Sequence, residues 1–84
     1  MTQNIKEQLI KAAQYALNNE WDAAHNIAQD YHHEAAYWLH AVLHKIEGDA
    51  ENSRYWYAET AGKNYERFAN TQEELQAILQ SLTT

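Results

Sequence analysis

The sequence contains no cysteine and no proline, and its only two glycines are Gly48 and Gly62. Without cysteine there is no disulfide, no thiolate metal ligand and no thiol nucleophile. Without proline, and with so little glycine, few positions interrupt a long helix. Alanine, leucine, glutamate and glutamine, which favour helices, are plentiful. These absences predict an all-α fold.

Long hydrophobic runs and clusters of positive charge are also missing. No apolar stretch approaches the ~20 residues that cross a bilayer, and the first residues, MTQNIKEQLIK, lack the apolar centre of a secretory signal. Twelve acidic residues against six basic ones give a formal charge of −6. Because basic side chains supply most of the affinity for nucleic acid and for anionic membranes, we expect neither as a partner. We expect a cytoplasmic protein.

Apolar residues recur at helical spacing along the whole chain, which indicates one helical domain over residues 1–84. About five helices are predicted. The expected bounds are Asn4 to Leu17, Trp21 to Tyr31, Glu34 to Glu47, Ala50 to Ala61, and a last helix from Thr71 that follows a loop over residues 63–70.

Capping patterns mark several of these helix ends. Asn4 with Glu7, and Thr71 with Glu74, have the spacing of capping pairs. Gly48 is suited to the left-handed position after the third helix, and Asp49 is the expected N-cap of the fourth. A junction this short predicts antiparallel packing of the third and fourth helices. With a weak internal echo 29 residues apart, at Trp21 and Ala50, it predicts two stacked antiparallel hairpins plus a C-terminal helix.

The fourth helix and the one before it resemble the tetratricopeptide-repeat class of helical hairpins. The resemblance is carried by a glycine–acid turn, followed by a small and then an aromatic residue at four-residue steps: Gly48, Asp49, Ser53 and Tyr57, with Tyr37 and Ala41 at matching positions of the preceding helix. His40 and His44 depart from it, because that motif usually has leucine and tyrosine there. The resemblance covers about one repeat and implies a tetratricopeptide-repeat-like (TPR-like) fold.

A longer pattern is similar to a small family of uncharacterised bacterial proteins. The features shared with that family are a Trp-x-x-Ala-His start, paired histidines, Glu-Gly-Asp-x-x-Asn and Tyr-Trp-Tyr. They are matched here by Trp21, Ala24, His25, His40, His44, Glu47, Gly48, Asp49, Asn52, Tyr55, Trp56 and Tyr57. This resemblance implies no known activity.

Histidines form the first candidate site. His40 and His44 are four residues apart on one predicted helix, Glu47 follows one turn later, and His25 could approach from the second helix. Such a set could bind zinc or another divalent metal. The metalloprotease motif His-Glu-x-x-His is absent, because positions 41–43 are Ala-Val-Leu. The alternatives are imidazoles that only pack beside the core, and acid–base catalysis.

Aromatic residues form the second candidate site. Tyr55, Trp56 and Tyr57 cannot all face one way on a helix. Tyr57 is expected in the core. Tyr55 and Trp56, with Asn52 nearby, could form an exposed surface for a peptide, a small ligand or a second copy of the chain. The alternative is packing against Tyr65, Phe68 and the last helix.

Three further assignments follow from position alone. Ile46 is expected to pack in the core with the other apolar residues of the third helix. Glu73 and Glu74 are expected to be ordinary acidic residues of a first helical turn. His32 and His33 are expected to be exposed in a turn, without a role.

Two functional hypotheses follow. The preferred one is a non-enzymatic helical interaction module that binds a protein or peptide, or a second copy of itself, through a polar and aromatic seam. The residues of the seam are His25, His40, His44, Glu47, Asn52, Tyr55 and Trp56. The alternative is a metal- or small-ligand-binding protein, with or without enzymatic activity, centred on His25, His40 and His44. No residue is assigned a catalytic role, and a divalent metal such as zinc is the only candidate cofactor.

Overall fold

The computed structural model describes residues 2–84, and over that range it is all-α with five helices, as the sequence predicts. The helices are α1 (Gln3–Leu17), α2 (Trp21–Ala28), α3 (Glu34–Ile46), α4 (Ala50–Ala58) and α5 (Thr71–Thr83). None of them is long and apolar enough to cross a membrane.

Helix α3 lies at the centre of the fold and contacts each of the other four helices. Helix α1 packs on α2 and α5, and α4 packs on α3. The largest apolar side chains that are fully buried come from α1, α3 and α5: Leu9, Leu39, Leu43, Leu75 and Ile78. The side chains of α3 therefore reach two different neighbourhoods, one toward α2 and one toward α5.

Gly48 and Asp49 form the predicted turn between α3 and α4. Gly48 has a φ of 87°, a conformation that glycine adopts without steric cost. The side chain of Asp49 caps α4 by accepting a hydrogen bond from the backbone N–H of Asn52 at 3.2 Å. Four residues into the helix, the Ser53 hydroxyl donates to the carbonyl oxygen of Ala41 at 2.6 Å. The small Ser53 side chain thus lets the backbones of α3 and α4 come close.

Two predicted capping pairs are wrong. The N-cap of α1 is Thr2, whose hydroxyl accepts from the N–H of Ile5 at 3.2 Å, so Asn4 already lies inside the helix. The N-cap of α5 is Asn70, which accepts from the N–H of Glu73 at 3.0 Å. Glu74 cannot complete a capping box, because its carboxylate is turned inward and bonded to other partners.

Two helices end earlier than predicted. Helix α2 stops at Ala28. His33 was expected to be exposed and without a role, but it is half-buried. It caps α3, because its Nδ1 accepts a hydrogen bond from the N–H of Ala35 at 3.1 Å. Helix α4 stops at Ala58, and the N–H of Ala61 donates to the Glu34 carboxylate at 3.2 Å.

Ile46 is not the core residue that the sequence predicts. Its side chain is 41% exposed. Ile46 is the last residue of α3, two positions before the turn at Gly48, and the neighbouring residues of α1, α2 and α5 cover it only in part. The other predicted packing residues of the α3–α4 pair, Leu39, Leu43, Ser53 and Tyr57, are all buried.

Candidate functional site

The three histidines singled out from the sequence meet between α2 and α3. His25 Nε2 lies 3.1 Å from His40 Nε2, and one ring nitrogen from each of His25, His40 and His44 lies within 4.8 Å of the others. His40 and His44 share one face of α3 because they are four residues apart. We call His25, His40 and His44 the histidine centre.

The histidine centre is largely removed from water. His40 is 6% exposed and His44 is 7% exposed, while His25 is half-buried. Burial, reinforced by the neighbouring His25 and His44, lowers the pKa of His40 to about 4. Burial and then His44 also lower the pKa of His25, against smaller opposing effects of Glu47 and Asp22. At neutral pH, His25 and His40 are therefore uncharged, which is the form that coordinates metal ions.

His44 has a polar neighbour at each ring nitrogen. Its Nδ1 lies 2.6 Å from Oε1 of Glu47, and its Nε2 lies 3.4 Å from Nδ2 of Asn52. The carboxylate accepts the hydrogen of Nδ1, which leaves the lone pair of the neutral ring on Nε2. A carboxylate on the far nitrogen is typical of histidines that bind metal, since it orients the ring and increases its basicity.

Two tryptophans enclose the histidine centre. Trp21 stacks on His25 with ring centroids 4.7 Å apart, and its Nε1 donates to the carbonyl oxygen of Leu43 at 2.6 Å. Trp56 stacks on His40 at 4.1 Å. Trp56 belongs to the predicted seam, but Trp21, which was assigned to the start of the second helix and to the family pattern, was not included in it. Its spacing from His25, four residues on one helix, was the sequence signal for this contact.

The remaining aromatic residues form a rim next to the histidine centre. Trp56 stacks on Tyr37 at 5.8 Å and meets the ring of Tyr55 edge-on at 5.2 Å. Tyr55 is 59% exposed. Trp56 therefore packs on Tyr37 and His40 of α3 and not on Tyr65, whose ring instead meets that of Tyr57. The seam residues lie together, from the buried imidazoles outward to Tyr55.

A second polar cluster lies on the side of α3 that faces α5. The buried carboxylate of Glu74 accepts from Trp38 Nε1 at 2.9 Å and from the Tyr57 hydroxyl at 2.6 Å, and it forms an ion pair with Lys45 at 3.0 Å. We call Glu74, Lys45, Trp38 and Tyr57 the Glu74 network. Burial and the bond to Glu74 raise the pKa of Tyr57 well above its usual range. The assignment of Glu74 as an ordinary first-turn residue is wrong.

Glu47 and Asp49 offer a further set of possible ligand atoms with His44. Both carboxylates are exposed, and each already serves the fold or the site, Asp49 as the cap of α4 and Glu47 as the acceptor from His44. The histidine centre is thus the better metal site of the two, because two of its three rings are buried and all three offer nitrogen ligands.

A scan against protein-family models, a search of curated proteins and a search of solved structures each find no match to this chain. The resemblance to an uncharacterised bacterial family stays a prediction. Function is therefore inferred from the geometry of the chain's own residues.

Proposed function

We propose that this chain is a small helical metal-binding protein, with His25, His40 and His44 as ligands of one divalent transition metal ion. The convergence of three imidazoles from two helices carries the proposal. Zinc bound tetrahedrally by nitrogen at about 2.0–2.1 Å has neighbouring ligands about 3.3 Å apart. The 3.1 Å between the Nε2 atoms of His25 and His40 is close to that spacing. These two rings need little movement to share an ion, and the hydrogen now between their Nε2 atoms would move to the Nδ1 atom of the ring that carries it.

The surroundings of the ligands support the same proposal. Glu47 holds Nδ1 of His44, and the stacked rings of Trp21 and Trp56 fix the planes of His25 and His40. Ligands held in place before binding lose less conformational freedom when the ion arrives. The set contains nitrogen and no sulfur, which suits zinc, cobalt or nickel better than copper(I).

A metal titration tests the proposal. Untagged protein, freed of metal with a chelator, should bind one Zn²⁺ or Co²⁺ per chain in calorimetry and in the visible spectrum of cobalt. His40→Ala with His44→Ala should abolish this binding while the helical circular dichroism remains. His32→Ala removes an exposed histidine outside the centre and should change nothing. Absence of binding by the wild-type protein, or unchanged binding by the double variant, contradicts the proposal.

We propose a peptide-binding role as the second candidate function, favoured by the exposed ring of Tyr55. Tyr55 extends the stacked rings of Tyr37 and Trp56 to the surface, and exposed aromatic side chains of this kind supply much of the affinity at protein interfaces. Both functions use the same seam, with metal at its buried end and a peptide, or a second copy of the chain, at its rim.

Selection from a displayed peptide library tests the second candidate. Peptides selected on the wild-type protein should bind the Tyr55→Ala variant at least tenfold more weakly. Gln76→Ala, on the exposed face of α5, is the matched control and should bind normally. Equal affinities for wild type and Tyr55→Ala contradict the placement of the site. Sedimentation of both proteins without peptide tests whether a second copy is the partner.

Two further features belong to the proposal. The tight turn at Gly48 and the close contact of Ser53 with Ala41 support a TPR-like hairpin for α3 and α4. The lack of cysteine supports a cytoplasmic location.

A further inference from the structure

We infer that Asn52 is the fourth ligand of the metal, through its side-chain carbonyl oxygen. The ion is then enclosed by three imidazoles and one amide, and no coordination position stays open to water or substrate. This inference rests on the proposed metal function and assigns the site to the closed, structural type of zinc centre and not to the open, catalytic type.

The contact between Asn52 and His44 is the first observation. Nδ2 of Asn52 lies 3.4 Å from Nε2 of His44. Because Glu47 takes the hydrogen of Nδ1, Nε2 holds the lone pair, and the Asn52 amide donates to it weakly in the absence of metal. A metal ion needs that same lone pair. Binding therefore requires the Asn52 amide to give up this hydrogen bond.

Rotation of the Asn52 side-chain amide by a half-turn removes the competition for the His44 lone pair without moving the backbone. The oxygen and nitrogen of an asparagine amide are nearly equal in size, and the half-turn exchanges their positions. Oδ1 of Asn52 would then lie at about the present distance of Nδ2 from His44 Nε2. That distance, 3.4 Å, matches the separation of about 3.3 Å between neighbouring ligands of tetrahedral zinc. The carbonyl oxygen reaches a ligand position as the amide N–H leaves it.

The α3–α4 turn explains why Asn52 is in place. Gly48 reverses the chain, and the Asp49 side chain holds the backbone N–H of Asn52 in the first turn of α4. Glu47, before the turn, and Asn52, after it, thereby reach the two opposite nitrogens of the His44 ring. The α3–α4 turn thus places Glu47, which orients the ligand His44, and also places Asn52, the inferred fourth ligand.

The charge of the site gives a second, independent consequence. Three imidazoles and an amide are neutral ligands, so the ion keeps its full charge. The carboxylates of Glu47, Asp49 and Asp22 lie near the histidines but are not among the four ligands. A carboxylate at position 52 would place a negative charge directly on the ion. If Asn52 is a ligand, Asn52→Asp should bind metal more tightly, whereas a residue remote from the ion would have little effect.

Cobalt-loaded protein tests the inference, with azide as a probe for an open coordination position. The visible spectrum of wild-type Co²⁺ protein should not change with azide. Asn52→Ala should bind Co²⁺ about 10–100-fold more weakly, and its spectrum should shift with azide, which enters the vacated position. Asn52→Asp should bind Co²⁺ more tightly than the wild type, and an unchanged affinity would count against Asn52 as a ligand. Asn64→Ala, an exposed asparagine between α4 and α5, is the matched control and should behave as wild type.

The outcomes separate this inference from the proposed function. A wild-type protein that binds no metal overturns both. A wild-type protein that binds metal and responds to azide, with Asn52→Ala equal to it in affinity, overturns only the role of Asn52. Circular dichroism and urea unfolding of each variant without metal show whether a lost affinity reflects a lost fold. The Asp49 cap that holds the backbone of residue 52 remains in every variant.

Discussion

The histidine centre and the Glu74 network are two polar clusters that both include residues of α3. They differ in how their polar groups find hydrogen-bond and charge partners. In the Glu74 network the partners are complementary: a carboxylate faces an ammonium, an indole N–H and a phenol. In the histidine centre, His25 and His40 form a hydrogen bond with each other, with one hydrogen between their Nε2 atoms. The first cluster is closed by complementary charges and hydrogen bonds, while the second brings one ring nitrogen from each of three imidazoles together.

The difference separates a structural role from a binding role. Lys45 uses its three donors on Glu74 and on the carbonyl oxygens of Tyr65 and Phe68, so it ties the segment before α5 to α3. These contacts account for the burial of the Lys45 and Glu74 charges. Three adjacent imidazoles, two of them with lowered pKa values, contribute no comparable attraction. Their convergence is the observation on which the proposed metal site rests.

The largest expected effect is on the Glu74 network. Lys45→Met leaves the buried Glu74 without its counter-charge and should lower the free energy of unfolding by about 3–5 kcal/mol. Urea denaturation measures the loss. The matched control is Arg54→Met, which removes an exposed pair with Glu66 and should cost less than about 1 kcal/mol. Equal losses of unfolding free energy in the two variants would show that the Lys45–Glu74 pair is no more important than an exposed one. Weaker metal binding by folded Lys45→Met protein would show that the two clusters do not act separately.

A somewhat smaller effect is expected when pH is lowered on the metal-free protein. The pKa of His40 is about 4 in the folded chain and 6.5 in the unfolded one. The unfolded state therefore binds the proton more readily, and stability that is complete above pH 6.5 declines as the pH falls toward 4. At about 1.4 kcal/mol per pKa unit, the loss is on the order of 3 kcal/mol.

Unfolding by urea at several pH values between 7 and 4 measures this decline. His40→Gln removes the titrating group and should flatten the profile. His32→Ala, which removes an exposed histidine, should leave the profile as in the wild type. An equally steep decline in His40→Gln would show that the histidine centre does not carry the acid sensitivity.

The smallest effect concerns Glu47, which links the histidine centre to the surface. Glu47→Gln keeps the shape but removes the charge beside Nδ1 of His44. Affinity for Zn²⁺ should fall about 10–100-fold, equivalent to about 1.4–2.7 kcal/mol, with little change in stability because the Glu47 side chain is 40% exposed. Calorimetry measures the affinity. Glu51→Gln, exposed in the first turn of α4, is the control and should stay near wild type.

Much of the fold could be predicted because its signals are local. Helical spacing of apolar residues indicated five helices, and the Gly48–Asp49 junction indicated the turn, since only glycine adopts this φ freely and aspartate is a preferred N-cap. His40 and His44 share a face by spacing alone. Their selection, with Glu47 and His25, as a candidate group required nothing beyond the helical repeat.

Some errors are local, such as the two capping pairs, whose N-caps lie one or two residues earlier than predicted. The errors at Glu74 and Ile46 concern residues whose state depends on distant parts of the chain. Glu74 has the position of a solvent-facing first-turn acid, yet Lys45, Trp38 and Tyr57 draw it inside. Ile46 continues the apolar stripe of α3, but at the end of that helix its side chain is covered only in part. No pattern within a few residues of either position contains this information.

The sequence by itself therefore determined which helices form, where they turn and which side chains share a helical face, because those properties depend on neighbours within about four residues. Only the tertiary structure decided that His25 meets His40 across two helices, that Glu47 and Asn52 reach opposite nitrogens of His44, and that Glu74 is buried against Lys45. The packing of α3 against both α2 and α5 brings these groups together, and it is fixed by the whole core.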